Sequence, residues 1–442
     1  MSQDSIIVWT VAALVVLAIV VPYVWRFRRR IAGDRQRKEE AARLGIDRPS
    51  AQFPYIDANH CIGCGACLKA CPEGDVLGIF GGTAVVINGL RCVGHAHCET
   101  ACPVGAIEVG LGDLKSRADV PQLDEALRTS VDGVFVVGEL GGLSLVRNAV
   151  AQGRRAVEQV AMTLGEPGSR GSSDPVDVAI VGSGPAGLSA ALTAKQRELS
   201  YVVLEREGTL GGTLLHYPRQ KMVLTQPVEI QPWGKLDRQE YRKEALLEIF
   251  QGIVDDYSLE IRFDQLVDDI VRDDGSFSVR SPGGVIRARN VVLAQGRRGL
   301  PRKLDVPGEE SSKVMYKLLD ASSYDNKNIL VVGGGDSAIE AALGLMRQKG
   351  NRVTLSYRRE KLVRIKKKNQ DAADRALAGG KLQALFGSQV LEIGKRQVEL
   401  RLADGSTKKL DNDFVFIFAG GVPPFELLHK VGARFGGEAP TD

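Results

Sequence analysis

The cysteines of this chain are confined to one short stretch and have the spacing of metal ligands. All seven lie between residues 61 and 102 of the 442, and the first four follow the pattern C-x2-C-x2-C-x3-C-P. The last three belong to a second, similar run in which His95 stands where another cysteine is expected. Thiolates at this spacing can wrap an iron–sulfur cluster.

Two other interpretations of these cysteines fit less well. A zinc ribbon has two C-x2-C pairs and no fourth cysteine followed by proline. A disulfide framework is typical of small secreted domains, and nothing else in this sequence suggests secretion. The spacing therefore predicts iron–sulfur clusters rather than a zinc site or a set of disulfides.

Residues 54–112 resemble the two-cluster ferredoxins of bacteria, in which the fourth cysteine of each run binds the other cluster. The resemblance implies one [4Fe–4S] cluster and a second that is either [4Fe–4S] or [3Fe–4S]. His95 would either complete the second cluster and raise its potential or stay unbound beside three irons, and His97 is a weaker candidate because it directly precedes Cys98. The first ligand set is Cys61, Cys64, Cys67 and Cys102, and the second is Cys71, Cys92 and Cys98, with His95 open.

A glycine-rich turn between two apolar runs predicts a dinucleotide site at residues 178–205. An apolar strand leads into Gly182, Gly184 and Gly187, an alanine-rich helical stretch follows, and a second strand ends at Glu205. Gly182 allows the tight turn, Gly184 lets the backbone approach a pyrophosphate, and Gly187 lets the helix pack on the strand. The helix N-terminus, opened by Pro185 and Ala186, would hold phosphate, and Glu205 would accept a ribose hydroxyl.

A second fingerprint of the same kind lies at residues 328–340. Gly333, Gly335 and Ala338 occupy the glycine positions, with Asp336 and Ser337 between them. Its second strand is followed by Arg358 and Arg359 instead of an acid. Guanidinium groups at this place suit a 2′-phosphate, so the pattern predicts NADPH rather than NADH. The alternative is a solvated basic loop.

Two fingerprints in one chain resemble the thioredoxin-reductase-like flavoproteins, and the blocks Leu210–Thr213, Gly296–Gly299 and Arg364–Asn369 are most similar to the bacillithiol-disulfide-reductase-like branch. The resemblance covers residues 120–442 and implies one module for FAD and an inserted one for NADPH. It implies that the flavin site also includes Gly211, Gly212, Thr213, Ala294 and Gly296, together with Gly138 and Glu139.

The order of the segments departs from that family. The family closes its FAD module at the C-terminus with a Gly-Val-Phe-x-x-Gly-Asp segment, whereas here Gly133–Glu139 precedes the first fingerprint. We therefore predict a circular permutation, with residues 166–175 as the linker that joins the old ends. The alternative is that residues 131–165 form an unrelated strand and helix. Because the termini of a domain often lie close together, such a change is physically feasible.

A second departure concerns cysteine. Thioredoxin reductases carry a redox-active Cys-x-x-Cys in the NADPH module, but no cysteine follows Cys102 here. A dithiol relay of that kind is therefore excluded, and the ferredoxin domain is predicted to replace it.

The N-terminal residues 6–25 are uncharged and mostly apolar. At about 1.5 Å per residue, twenty residues of helix span roughly 30 Å, the thickness of a bilayer. Trp9, Tyr23 and Trp25 lie near the ends, and Arg26 opens a basic run. The segment lacks the charged start and cleavage site of a signal peptide. It predicts a single-pass anchor in the inner membrane, with the remaining domains on the cytoplasmic side.

The predicted fold class is α/β, with two Rossmann-like dinucleotide-binding modules for FAD and NADPH, a small α+β ferredoxin domain and an N-terminal transmembrane helix. The predicted domains are an anchor (1–30), a juxtamembrane linker (31–53), the ferredoxin domain (54–112), the FAD module (113–300, with the permuted closing segment at 119–165), the NADPH module (301–412) and a return to the FAD module (413–442).

These parts together predict a membrane-anchored oxidoreductase that passes electrons between NADPH, FAD, the clusters and a one-electron partner, either a redox protein or a membrane electron-transfer complex, in a direction left open. No catalytic acid or base is assigned, because hydride transfer needs none. The alternatives are a flavin-site reductase of a small disulfide or organic substrate, and a non-catalytic membrane redox sensor. The net charge of +4 is too small to suggest nucleic acid, and a homodimer is expected.

Overall fold

A computed structural model describes residues 3–47, 52–111, 120–142, 145–164, 175–297, 300–422 and 424–436. The linker predicted at 166–175 lies, except for its last residue, outside this part of the chain. The chain divides into two compact units. The first comprises residues 1–112 and 363–371, and the second comprises residues 113–362 and 372–442.

The first unit contains the cysteines. Strand β1 pairs antiparallel with β4, and β2 pairs with β3 in a hairpin. The cysteine sulfurs share a small core with Val76, Leu77, Ile79 and Ile107. The elements are α1 (Gln3–Leu44), β1 (Gln52–Ile56), α2 (Ala66–Ala70), β2 (Leu77–Phe80), β3 (Thr83–Val86), α3 (His97–Thr100) and β4 (Ile107–Leu111).

The prediction of a transmembrane helix is wrong. Among the residues that the structure describes, no helix combines the length and the apolar character that crossing a membrane requires. The transmembrane part of the fold class is therefore wrong, and so is the location in the inner membrane with domains on its cytoplasmic side.

The second half of α1, which was predicted to be part of a juxtamembrane linker, packs within the first unit. Asp34 is 4% exposed and accepts a hydrogen bond from the backbone N–H of Ile79 at 2.8 Å. Arg37 forms an ion pair with Asp34 and another with Asp75. A buried carboxylate is stable only when it is paired in this way, so the charges of this helix serve to hold it against the ferredoxin domain.

A segment from far along the chain completes the first unit. The carbonyl of Val363 accepts a hydrogen bond from the buried Asn88 amide at 3.2 Å. The backbone N–H of Lys367 donates to Glu73 at 3.0 Å, and Arg91 donates to Gln370 at 3.1 Å. Residues 363–371 were predicted to belong to the NADPH module, but they pack within the ferredoxin unit.

The second unit begins with a seven-stranded sheet in the order β12-β7-β6-β15-β14-β13, with β5 beside β15. The apolar strand β6 is buried along residues 177–181, as expected of a parallel strand covered on both faces. The elements are β5 (Val134–Val136), α4 (Val146–Leu164), β6 (Val176–Val181), α5 (Pro185–Gln196), β7 (Tyr201–Leu204), β8 (Met222–Leu224), β9 (Val228–Ile230), β10 (Gly234–Leu236), β11 (Glu240–Arg242), α6 (Lys243–Asp256), β12 (Ile261–Arg262), β13 (Asp269–Asp273), β14 (Ser276–Ser281) and β15 (Gly284–Leu293).

A second, parallel sheet has the order β17-β24-β18-β19-β20, and an antiparallel sheet of three strands, β21-β22-β23, accompanies it. Strand β24 belongs to this sheet, although the sequence placed the return to the FAD module at residue 413. The elements are β16 (Leu300–Pro301), β17 (Val314–Met315), β18 (Asn328–Val332), α7 (Asp336–Met346), β19 (Arg352–Tyr357), α8 (Lys367–Ala378), β20 (Gln383–Phe386), β21 (Gln389–Ile393), β22 (Gln397–Arg401), β23 (Thr407–Asp411), β24 (Phe414–Ile417), β25 (Gly421–Val422) and α9 (Phe425–Lys430).

Strand β5 precedes the first fingerprint in the chain and yet pairs parallel with β15 in the FAD sheet. The residues just before it lie against the end of the chain: the backbone N–H of Gln122 donates to the carbonyl of Arg434, and Gly436 donates to Val120. If these two stretches were joined directly, they would form a local antiparallel pair. The circular permutation stays a prediction, and this pairing supports it.

Candidate functional site

Four cysteines from the two ends of the ferredoxin sequence line one cavity. They are Cys61, Cys64, Cys67 and Cys102, the first predicted ligand set. Ile62, Ala84, Val104 and Ile107 supply the apolar part of the lining. An apolar cage with four thiols at its wall fits a [4Fe–4S] cluster, which takes four thiolate ligands.

Backbone N–H groups point at the sulfurs of this cavity. The N–H of Ala84 donates to Cys61 Sγ at 3.3 Å, and that of Ala106 donates to Cys102 Sγ at 3.2 Å. Hydrogen bonds to the ligand sulfurs stabilise negative charge and so help to set the reduction potential of a bound cluster.

The remaining cysteines form a second group. Burial, together with the neighbouring Cys71 and Cys92, raises the pKa of Cys98 to about 11. Burial also raises the pKa of Cys67, whose cysteine neighbours are Cys61 and Cys64. The thiols therefore interact in the two groups that crossed ligation requires. Buried thiols of this kind become thiolates when a cation binds them.

The described residues include no three histidine, cysteine, aspartate or glutamate side chains that could hold one metal ion together. Cluster ligation does not call for such convergence, because each thiolate of a cubane binds a different iron. The arrangement of the cysteines thus remains compatible with iron–sulfur clusters.

His95 occupies the position in the second ligand loop that Cys64 occupies in the first. The two loops repeat after 31 residues, and their backbones match: Gly63 and Gly65 have φ of 65° and 73°, and Gly94 and Ala96 have φ of 74° and 60°. An alanine in this left-handed conformation costs about 1–2 kcal/mol, so the surrounding structure imposes the loop shape. The repeat favours His95 as a ligand over His97, which lies inside α3.

The first glycine fingerprint has the close contacts that its pattern predicts. Gly182 has φ of 104°, and a Cβ there would lie 2.7 Å from the carbonyl oxygen of Ala294. A Cβ on Gly187 would lie 1.8 Å from the oxygen of Gly182. A Cβ on Gly184, directly before α5, would meet nothing within 4 Å. That open space at a helix N-terminus fits a pyrophosphate.

Glu205 is held beside this turn by a residue that the sequence reasoning missed. Its carboxylate is 3% exposed and accepts 2.7 Å hydrogen bonds from both the backbone N–H and the hydroxyl of Ser183, and another from the N–H of Glu207 at 3.0 Å. A carboxylate has about four acceptor sites, so one is left for a ribose hydroxyl. In the sequence, nothing marks Ser183 as a functional residue except its position between two glycines.

The other predicted flavin residues converge on the same turn. A Cβ on Gly138 would lie 3.3 Å from the Cβ of Ala186, and one on Gly212 would lie 3.4 Å from the Cα of Gly184. The buried Oε1 of Gln295, between Ala294 and Gly296, has no hydrogen-bond partner among the described residues, as expected if a cofactor supplies it. Gly138, Glu139, Gly182, Gly184, Pro185, Ala186, Gly187, Glu205, Gly211, Gly212, Thr213, Ala294 and Gly296 thus belong to one region of the unit.

The second fingerprint repeats this design. Gly333 has φ of 141°, and its Cβ would lie 2.5 Å from the oxygen of Phe418, whereas a Cβ on Gly335 would meet nothing within 4 Å. Asp336 and Ser337 form the first turn of α7 directly after it. Gly334, which the prediction did not include, lies against the ring of Tyr357, and a Cβ there would lie 2.2 Å from Cε2 of that ring.

Arg358 and Arg359 follow β19, the strand next to β18 in the sheet. Arg358 is exposed and Arg359 is half-buried. Because the carboxyl ends of β18 and β19 lie at the same edge of the sheet, both arginines are on the side where a nucleotide would bind. Lys367 lies in the block that resembles the disulfide reductases, and its backbone N–H donates a hydrogen bond to Glu73.

Comparison with known proteins supports the same division of the chain. Residues 179–438 match the model of the pyridine nucleotide-disulphide oxidoreductase family, and residues 53–103 match that of the 4Fe-4S dicluster domain. The first match covers more than half of the chain. The chain belongs to the pyridine nucleotide-disulphide oxidoreductase family.

The similarity extends to individual proteins. The chain is 26% identical over 260 residues to bacilliredoxin reductase Bdr of Bacillus subtilis, covering 58% of this chain and 80% of that protein. It is 32% identical over 268 residues to thioredoxin reductase of Listeria monocytogenes, covering 58% and 77%. The structure of bacillithiol disulfide reductase from Staphylococcus aureus matches with a TM-score of 0.55 and 25% identity, covering 59% of this chain and 80% of that one.

These matches confirm the predicted resemblance to thioredoxin-reductase-like and bacillithiol-disulfide-reductase-like flavoproteins and to two-cluster ferredoxins. They also confirm that the chain is an FAD-dependent oxidoreductase with an iron–sulfur domain. One feature of its sequence bears on its chemistry: no cysteine follows Cys102.

Proposed function

We propose that this chain is an NADPH-dependent oxidoreductase that delivers electrons singly, through two iron–sulfur clusters, to an external redox protein. The observation that carries the proposal is the combination of crossed cysteine sets in the first unit with two complete dinucleotide fingerprints in the second. Since the family's disulfide chemistry uses cysteines that this chain lacks outside residues 61–102, the clusters are the remaining route for electrons.

The cofactors would supply the redox chemistry. FAD converts between two-electron hydride transfer and one-electron transfer, and the clusters carry single electrons. The overall reaction oxidises one NADPH to NADP⁺ and a proton and reduces two molecules of a one-electron acceptor. The residues of this chain bind and orient the participants.

Each fingerprint has a distinct role in the proposal. The open backbone at Gly184 and the N-terminus of α5 hold the FAD pyrophosphate, while Glu205, oriented by Ser183, accepts the ribose hydroxyl. The open backbone at Gly335 and the N-terminus of α7 hold the pyrophosphate of NADPH. Arg358 and Arg359 bind its 2′-phosphate.

His95 completes the second cluster as a [4Fe–4S] cluster in this proposal. Replacing it with alanine removes one ligand, so we expect the iron content to fall from about eight to about seven per chain and a three-iron EPR signal to appear in the oxidised protein. His97→Ala is the matched control and is expected to keep the iron content and the spectrum of the unmodified protein. If His95→Ala leaves both unchanged, His95 is not a ligand.

The proposal is tested by the stoichiometry of NADPH oxidation under anaerobic conditions. With cytochrome c as acceptor, two molecules should be reduced for each NADPH. Cys61→Ala, which breaks the first cluster but touches neither fingerprint, should abolish cytochrome reduction while NADPH still bleaches the flavin absorbance. Cytochrome reduction at the original rate in this variant, or turnover of a low-molecular-weight disulfide in its place, would show that the clusters are not the route.

The homodimer stays a prediction.

A further inference from the structure

The first cluster site lies at the surface of the ferredoxin unit. Of the residues that line its cavity, Ile62 is 63% exposed, Val104 is 42% exposed, and Cys64 is also exposed. A cluster held there would be separated from solvent by little more than these side chains. Since electron transfer between proteins requires close approach of the centres, this surface is a place where an external partner could reach the first cluster.

The second group of cysteines is enclosed differently. The residues beside Cys71 and Cys92 are buried: Glu73 is 7% exposed and Arg91 is 9% exposed. Glu73 and Arg91 are hydrogen-bonded to Lys367 and Gln370 of the downstream segment 363–371. The chain itself thus covers this flank of the second group, while the flank at Ile62 and Val104 has no such cover in the described residues.

Carboxylates outnumber lysines and arginines on the exposed surface of residues 52–111. Among the exposed charged side chains described between residues 52 and 111, Asp57, Glu99 and Glu108 are acidic and Lys69 is basic. Asp57 is tied to the cluster loop, since its carbonyl accepts from the N–H of Cys61 at 3.0 Å and its own N–H donates to Ala106 at 2.9 Å. An acidic border of this kind attracts a basic protein and speeds its association at low salt.

We propose that the exit face, defined by Ile62, Cys64 and Val104 with the acidic border Asp57, Glu99 and Glu108, is the docking surface for a basic one-electron redox protein that presents an apolar contact patch. The inference rests on the proposed function and assigns the first cluster, not the second, as the centre that faces the partner. In each docking event one electron passes from the reduced first cluster to the oxidised centre of the partner, so the two electrons of one NADPH serve two partner molecules.

The test uses basic cytochrome c as the probe and the full chain with its cofactors. Binding is measured by calorimetry with both proteins oxidised, so that no electron flows, and then the transfer rate is measured with dithionite-reduced protein. We expect Ile62→Lys and Glu108→Lys each to weaken binding at least about fivefold and to slow transfer in parallel. Val285→Lys, at a valine of the second unit that is 58% exposed, is the matched control and should change neither.

Glu108→Lys keeps the test decisive if Ile62→Lys fails to retain its cluster, because Glu108 does not line the cavity. The binding constant of the unmodified protein should also weaken as the ionic strength rises from about 0.01 to 0.15 M. If Glu108→Lys leaves the affinity for cytochrome c unchanged, or if Val285→Lys lowers it equally, the partner does not dock at the exit face. Failure of NADPH to reduce the clusters would instead overturn the proposed function, since the binding measurement does not depend on it.

Discussion

Gly184→Ala is expected to give a folded protein that retains less than about a tenth of its FAD. Among the described residues, no atom lies within 4 Å of a Cβ placed on Gly184, and the backbone there, with φ of −69°, suits any residue. The substitution therefore leaves the protein unstrained and fills only the space that the pyrophosphate needs. A loss of 1.4 kcal/mol in binding corresponds to tenfold in affinity. The measurement is the flavin released per chain after purification, with circular dichroism to verify the fold.

Gly335→Ala is the matched variant, because its Cβ also meets nothing and its φ of −100° is equally permissive. It should keep its full flavin content and lose affinity for NADPH by a similar factor, measured by titration of the flavin fluorescence. Loss of flavin in Gly335→Ala, or full flavin in Gly184→Ala, would show that the two fingerprints have been assigned to the wrong cofactors.

Arg358→Glu is expected to abolish the preference for NADPH over NADH. A charge-assisted hydrogen bond to a phosphate contributes about 1.5–3 kcal/mol, so the dissociation constant for NADPH should rise by about 10- to 150-fold. The constant for NADH should change far less, because NADH has no 2′-phosphate. The ratio of the two constants, measured by stopped-flow reduction of the flavin, isolates this contact from general effects on the fold.

Arg352→Glu provides the control on the same strand. Arg352 is exposed at the start of β19, the opposite end from Arg358, and carries the same change of charge. It should leave the NADPH-to-NADH ratio within about twofold of the original, since a charge at that end of the strand is screened by salt. If Arg352→Glu and Arg358→Glu lower the ratio equally, the effect is one of net charge and Arg358 does not bind the phosphate.

Local patterns were sufficient to predict the parts of the site that depend on spacing. The cysteine intervals, with the crossed ligation that the resemblance to two-cluster ferredoxins implies, predicted which thiols share a cavity, and Cys102 lies with Cys61 in that cavity. The glycine fingerprints predicted the close contact of Gly182 and the open space at Gly184. In each case the chemistry needs a given residue type at a fixed distance along the chain, which a single sequence displays.

Contacts between distant parts of the chain could not be predicted in this way. The hydrogen bond from Ser183 to Glu205 joins two residues of ordinary type, and nothing in either one marks the other as its partner. The packing of residues 363–371 against Asn88 and Arg91 likewise depends on tertiary structure, because its hydrogen bonds join residues more than 270 positions apart.

The prediction of a transmembrane helix, which no helix among the described residues supports, rests on the apolar composition of residues 6–25 alone. These residues belong to α1, which continues without a break to Leu44. Asp34 and Arg37, which the prediction assigned to a spacer, make buried and half-buried ion pairs within the ferredoxin unit. Hydropathy alone gives no information about such pairs.

The most direct test of the proposed electron route is an anaerobic titration of the protein with NADPH, followed by absorbance and by EPR at low temperature. We expect the flavin absorbance to fall first and the signals of reduced clusters then to grow, reaching the size that dithionite produces. A flavin that is fully reduced by excess NADPH while the clusters remain silent, although dithionite reduces them, would contradict the proposed electron route.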